Sequence, residues 1–248
     1  MKRCLLLLLV FLTAPVAAQQ QDAKAIVRAA LDYWRGLSSY TEMTMVIHRS
    51  EWERSMTMRA WTKGDQLSLV RVVEPRKDRG NGTLTNDKNM WTFSPKVNRV
   101  IKIPSSMMAQ SWMGSDFSNK DVARVDDIVD EYVHTILSET EIDGVTVYEI
   151  QSVPDEDAAV VWGREVLRIR SDYIVLQHAF YDQDDELVKQ LETLEIAEMG
   201  GRIVAKRQRM SKIDDPERWT ELQVNDVKYD IDLKDSLFTL ANLRNPRE

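Results

Sequence analysis

The chain has 248 residues, 43% of them apolar, and carries 33 basic against 40 acidic side chains, a formal charge of −7. That length can bury one sizeable core without disulfide or metal staples. The acidic balance argues against the phosphate-neutralising surfaces that nucleic acids and anionic membranes require.

The first residues read as a secretory leader. Lys2 and Arg3 form its positive end, Leu5 to Leu12 its apolar core, and Val16-Ala17-Ala18 its small-residue cleavage site. Residues 1–18 are therefore expected to be removed, which directs the protein to the periplasm. The apolar run is shorter than the roughly 20 residues a membrane span needs, so an integral membrane protein is not expected. Cys4, the only cysteine, precedes the apolar core, where a lipid-modified cysteine cannot sit. From Gln19 onward the chain has no thiol for a nucleophile, a metal ligand or a disulfide. Loss of Lys2 and Arg3 takes the formal charge from −7 to −9.

An amphipathic helix follows. Ile26, Val27, Ala30, Leu31 and Trp34 recur at helical spacing, Asp22 can cap the start and Gly36 can end it. The remainder reads mainly as strands. In Tyr40–Arg49, Thr41, Met43, Met45 and Ile47 alternate with Glu42, Thr44, Val46 and His48, and Ser55–Lys63 and Gln66–Val73 come next. Asp143-Gly144 joins Tyr132–Glu141 to Val145–Val153, a strong hairpin signal. Trp162–Arg170, Ile174–Tyr181, Glu186–Ile196, Arg202–Met210 and Thr220–Tyr229 continue the series through short polar or Gly-Gly turns. Consecutive strands on short turns form an antiparallel meander, and so many of them must curl or close. Two segments interrupt it. Ile103–Ile128 begins at Pro104 and holds Ser118-Asn119-Lys120-Asp121, a capping-box start to a short helix, and Pro154–Val161 is an acidic loop. No repeat, low-complexity tract or Gly/Ser linker argues for a second domain.

Catalytic apparatus is not visible. Hydrolysis needs a nucleophile held by an oriented base, yet His48, His134 and His178 all fall within expected strands, and no Gly-x-Ser-x-Gly turn, His-Glu-x-x-His helix or phosphate loop occurs. The acidic runs at 126–131, 155–157 and 182–186 lack the alternating carboxylates and turn glycine of a calcium loop. Neither a metal nor a cofactor is expected.

What stands out is Asp78–Asp121, rich in Met and Trp, whose thioethers and indoles give adaptable apolar contact. Met43, Met45, Met56, Met58, Trp61, Trp91 and Phe93 occupy strand positions that suit the concave face of a curled sheet, as core or as a cargo surface. Met107, Met108, Trp112, Met113 and Phe117 lie in the break between strands, as a lid, a plug or a partner contact. Within Met113-Gly114-Ser115-Asp116-Phe117-Ser118, Gly114 can supply a turn, Asp116 or Ser118 a helix cap, and Phe117 an anchor.

The block Trp91-Thr92-Phe93-Ser94-Pro95, then Arg99 to Ile103, then Met113 to Ser118 with Asp121, closely resembles the LolA-like outer-membrane lipoprotein-sorting family. The Asp143-Gly144 hairpin ending at Tyr148-Glu149-Ile150 resembles it too. The resemblance implies a mainly β (α+β) fold over residues 19–248: a single curved antiparallel sheet forming a half-open barrel, covered by the N-terminal helix and a lid segment with a short helix. It implies a periplasmic carrier, not an enzyme, whose apolar cavity takes lipoprotein acyl chains or other lipid-like cargo to the outer membrane. The chain is longer than the dedicated carrier, and its Met-Gly-Ser-Asp-Phe-Ser block resembles a related branch associated with inner-membrane ABC or RND-type transporters. The alternative is therefore an accessory subunit docking on such a transporter without carrying lipid. No cavity arginine transfers from the carrier, which leaves Arg59, Arg71 and Arg99 as candidates only.

Overall fold

The computed structural model describes residues 16–246, with side chains from Ala23 onward; the greater part of the expected leader lies outside the described residues. Helix α1 runs over Val16–Arg35. It buries Ala23, Val27 and Ala30, a stripe at helical spacing. Asp22 lies inside the helix rather than at its cap, because the helix starts at least two turns earlier than its periodic stripe suggests. Trp34 is not on the buried face. It is 53% exposed, and the last turn instead turns Arg35 inward, to 6% exposure, against Asp126. Among the described residues no helix is long and apolar enough to cross a membrane.

Thirteen strands follow among the described residues, all in one antiparallel sheet. They are β1 Ser38–Arg49, β2 Trp52–Lys63, β3 Leu67–Glu74, β4 Gly82–Asn86, β5 Asn89–Ser94, β6 Arg99–Ile103, β7 Tyr132–Ile142, β8 Val145–Pro154, β9 Arg164–Arg170, β10 Val175–Tyr181, β11 Leu187–Met199, β12 Arg202–Lys212 and β13 Trp219–Tyr229. The chain enters at the middle of the sheet. It steps outward from β1 to the edge strand β6, crosses through residues 104–131 to the opposite edge β7, and steps inward to β13, which pairs with β1. The sheet is curved and unclosed, with β6 and β7 as its two edges.

Residues directly paired across antiparallel strands share a face. One unbroken line of partners runs Ile150, Leu167, His178, Leu191, Met210, Thr220, Ile47 from β8 to β1. This is the inner face, covered by α1, by the crossover and by Val160 and Trp162 of the segment between β8 and β9. Over β7–β9, α1 packs on Tyr132, Ile150, Leu167 and Ile169. Over β1–β3, Met108 and Trp112 of the crossover pack on Met45, Ile47, Met56, Met58, Val70 and Val72. The crossover holds a 3-10 turn at Ser105–Met107, helix α2 at Asn119–Ala123 and helix α3 at Asp127–Asp130.

The opposite face of β3–β6 has its own cover, for which the sequence offers no periodic signal. After β13 the chain continues through a 3-10 turn, Asp235–Phe238, into helix α4, Leu240–Arg244. Leu233, Phe238 and Leu243 pack there on Leu69, Leu84 and Phe93, with Trp61 and Trp91 alongside.

Candidate cargo-binding interior and its lid

The inner surface of β1–β3 is thioether-rich. Met45 and Met58 are fully buried and Met56 nearly so, while Met43 is half-buried at their margin. Met90 adds a further sulfur from β5. Unbranched thioethers repack at low cost, so such a wall can change shape without losing contact area.

The seven residues expected to line one concave face divide between two. Met43, Met45, Met56 and Met58 lie on the inner face, but Trp61, Trp91 and Phe93 lie on the opposite one under the C-terminal cover. Strand period decides this: Trp61 is one residue out of phase with Met56 and Met58, and Trp91 and Phe93 are out of phase with Met90. The candidate arginines are elsewhere too. Arg59 pairs with Glu42 at 3.1 Å, Arg99 is exposed at edge β6, and Arg71 donates to the Asn242 carbonyl at 2.8 Å beneath the C-terminal cover. Burial lowers the Arg71 pKa from its ordinary value.

The lid is a tight hairpin. Ser111 bridges Ser118, the Trp112 N–H donates to the Phe117 carbonyl at 2.8 Å, and Met113 and Gly114 turn the chain with φ of 51° and 81°. Gly114 is suited to the second position because it has no Cβ to strain a left-handed backbone. The hairpin projects Trp112 inward, 5% exposed, with its indole N–H donating to Thr83 Oγ1 at 2.9 Å. Phe117 packs on Phe180 and Met210. Met108 is buried, and Met107 and Met113 are half-buried. Ser118, not Asp116, caps α2: its hydroxyl accepts from Asp121 N–H, and Asp121 reciprocates in a full capping box.

Asp116 is the anchor of the hairpin. Its carboxylate, 1% exposed, takes Arg49 Nη1 at 2.9 Å and Nη2 at 3.1 Å, Arg218 Nε at 2.9 Å and the Thr220 hydroxyl at 2.7 Å. Its own N–H donates to Thr220 Oγ1 at 3.0 Å. Nothing local in the sequence announces these partners, which arrive from the far ends of β1 and β13.

Between lid and α1 the inner face carries a buried polar group. The Tyr132 hydroxyl donates to Glu165 at 2.6 Å, His178 Nε2 meets the other Glu165 oxygen at 2.5 Å, and Lys189 reaches Asp121 at 2.7 Å. Burial, then the facing Glu165 charge, push the Tyr132 phenol far above its ordinary value. His134 bonds Ser152 at 2.8 Å, and burial, reinforced by Lys24, holds its pKa below the ordinary value. His48 stacks on Trp219 on the outer face.

Two of the three acidic runs are employed structurally. Asp126 binds Arg28 and Arg35, tying α1 to the crossover, and Asp182 accepts from the N–H groups of Asp184 and Glu186 in a turn. Burial opposes the Arg35 charge, but Asp126 and Asp32 more than offset it and raise its pKa. A cleft of about 510 Å³ beside the end of α1 is lined by Leu37 and by the charged Arg28, Asp32, Arg35, Asp65, Arg202 and Asp230, a ring of charges unsuited to an acyl chain.

The fold has known counterparts. A family model described as "-like: Uncharacterized protein" matches residues 64–245. The chain belongs to that family, and its fold is LolA-like. A DUF1329 family protein from Desulfovibrio piger superposes with a TM-score of 0.81 at 25% identity, over 91% of this chain and 99% of that one. An outer-membrane lipoprotein-sorting protein domain from Vibrio parahaemolyticus gives 0.79 at 20% identity, over 91% and 100%. A LolA superfamily protein from Nitrosomonas europaea gives 0.72 at 22% identity, over 88% and 98%. No functionally curated protein is detectably similar in sequence. The block from Trp91 to Ser118 serves two places in this fold: its first half builds the wall under the C-terminal cover, and its second half builds the lid.

Proposed function

We propose that the protein, freed of residues 1–18, is a single-domain periplasmic carrier that shelters lipid-like cargo, lipoprotein acyl chains among them, during transit to the outer membrane. It is not an enzyme in this reading. One observation carries it: the thioether wall of β1–β3 is closed by a loop, not by an element of the sheet, so the wall can be uncovered without unfolding a strand. The energy balance allows the exchange. Burying Met108, Trp112 and Phe117 stabilises the closed lid by roughly 5–9 kcal/mol, at 1.5–3 kcal/mol for each side chain. An acyl chain of about 16 carbons gains on the order of 12 kcal/mol by leaving water at roughly 0.8 kcal/mol per methylene. The apolar gain of the cargo thus exceeds the apolar cost of lifting the lid, and the ion pairs of Asp116 with Arg49 and Arg218 set the further cost of opening.

Native mass spectrometry of the mature protein taken from a bacterial periplasm tests this. A stoichiometric lipid or acyl-peptide adduct, lost on unfolding, is the expected result. A bare mass under gentle conditions overturns it and favours the second reading, an accessory subunit of an inner-membrane transporter. The packing of Met108 and Trp112 on the wall favours that reading; the scatter of exposed apolar side chains, from Trp34 and Leu37 at the end of α1 to Ile101 on β6 and Val133 on β7, does not.

A further inference from the structure

The lid does two things at once. It places aromatic and thioether side chains on an apolar wall, and it places a carboxylate on a pair of arginines at the rim of that wall. An amphiphile with an anionic headgroup would do the same. Resting on the carrier reading, we propose that Arg49, Arg218 and Thr220 form the headgroup site for an anionic amphiphile, a phosphate or carboxylate ester of a long alkyl chain, and that Asp116 fills this site in the unloaded protein as an internal stand-in.

The site is built for an anion. Two guanidinium groups and one hydroxyl converge on a carboxylate that is 1% exposed, at distances of 2.7 to 3.1 Å. The other described partners of Arg49 are the carbonyls of His48, Gly114 and Trp219 and the ring of Trp52, none of them an anion, and Asp116 is the carboxylate paired with Arg218. Lifting the lid therefore leaves two cations with no counter-charge, and the fork geometry of guanidinium suits a tetrahedral or planar oxyanion. The site also adjoins the wall. Thr220 is directly paired with Ile47 and Met210 on the inner face, and Phe117, next in the chain to Asp116, rests on Met210 and Phe180. A headgroup at Arg49 and Arg218 would lead an alkyl chain from the rim into the space Phe117, Trp112 and Met108 vacate. A neutral headgroup would leave both charges unpaired, so the same residues that close the lid would select the cargo.

The test is calorimetric titration of the mature protein with dodecyl phosphate and with dodecyl maltoside, a neutral amphiphile of equal chain length, each below its micellar range, and with inorganic phosphate. Wild type should prefer dodecyl phosphate over the maltoside by about tenfold or more, the ratio expected when a desolvated charge is left unpaired. Asp116→Asn removes the stand-in's charge but keeps both arginines, and should tighten dodecyl phosphate by a further tenfold or so with little gain for the maltoside. The double variant Arg49→Gln/Arg218→Gln also frees the lid, and should bind the two amphiphiles equally. Should Asp116→Asn lose its cooperative melt, Arg218→Gln alone carries the comparison, since that side chain is partly solvent-exposed. Equal affinities in wild type and in Asp116→Asn overturn the headgroup site while leaving the carrier reading in place. Inorganic phosphate binding as tightly as dodecyl phosphate also overturns it, in favour of a free-anion site. Failure of every amphiphile in folded wild type and variants overturns the carrier reading itself.

Discussion

Replacing Trp112 by Ala measures how firmly the lid belongs to the fold. The indole is 5% exposed against Met45, Met56 and Met58, and its N–H donates to Thr83 Oγ1 at 2.9 Å. Truncating a buried Trp costs about 3–5 kcal/mol in lost transfer energy and residual cavity. The Thr83 hydroxyl, fully buried, loses its donor and adds roughly 1 kcal/mol. A domain of this size shifts its midpoint by about 2–4 °C for each kcal/mol, so Tm should fall by roughly 10–20 °C. Urea titration followed by circular dichroism at constant m-value gives the free energy directly. Combining Trp112→Ala with Thr83→Val in a double-mutant cycle should return a coupling near 1 kcal/mol. A loss below about 1 kcal/mol for Trp112→Ala would refute the packing described for the lid.

Further predictions concern the rest of the frame. A Cβ added at Gly82 would lie 2.9 Å from Leu243 Cδ1 and 3.3 Å from the Val70 carbonyl, so Gly82→Ala should cost about 1–3 kcal/mol; removing residues 231–248 as well should abolish most of that difference in urea titrations, and an unchanged penalty would rule out the C-terminal cover as its cause. Ser118→Ala removes the hydroxyl that accepts from Asp121 N–H, which should cost about 1 kcal/mol and raise hydrogen exchange in α2 alone; spread of the effect to β1–β3 would contradict a local cap. His134 has its pKa held below the ordinary value, so between neutrality and about pH 5 the unfolded chain binds a proton that the native site resists. Its contribution is thus present at neutral pH and lost on acidification. His134→Gln should flatten stability against pH over that range, and an unaltered slope would dismiss His134 as a source of it.

Period-two patterning made most of the sheet legible, because a half-buried strand must alternate. Tyr40–Arg49, the Asp143-Gly144 hairpin and the run from Arg202 to Tyr229 all fall within a few residues of their observed strands. The capping box at Ser118 was equally readable, since both of its partners sit within one turn. The face assignment of Trp61, Trp91 and Phe93 was not, because alternation within each strand gives two faces and cannot say which is concave. That choice came from Leu233, Phe238 and Leu243, whose segment has neither helical nor strand period. Asp116 illustrates the harder limit. Its spacing suited a helix cap, but its bonds go to Arg49, Arg218 and Thr220, and only the chain's entry at mid-sheet brings β1 and β13 together to make that site.

The central claim is that cargo and lid compete for one surface. Hydrogen exchange of the mature protein, with and without a saturating long-chain amphiphile, tests it most directly. The amide of Asp116, which donates to Thr220 Oγ1 across the seam between lid and sheet, should lose protection on loading while those of β1–β3 keep theirs. Amphiphile bound at stoichiometry with the Asp116 amide still protected would contradict the account.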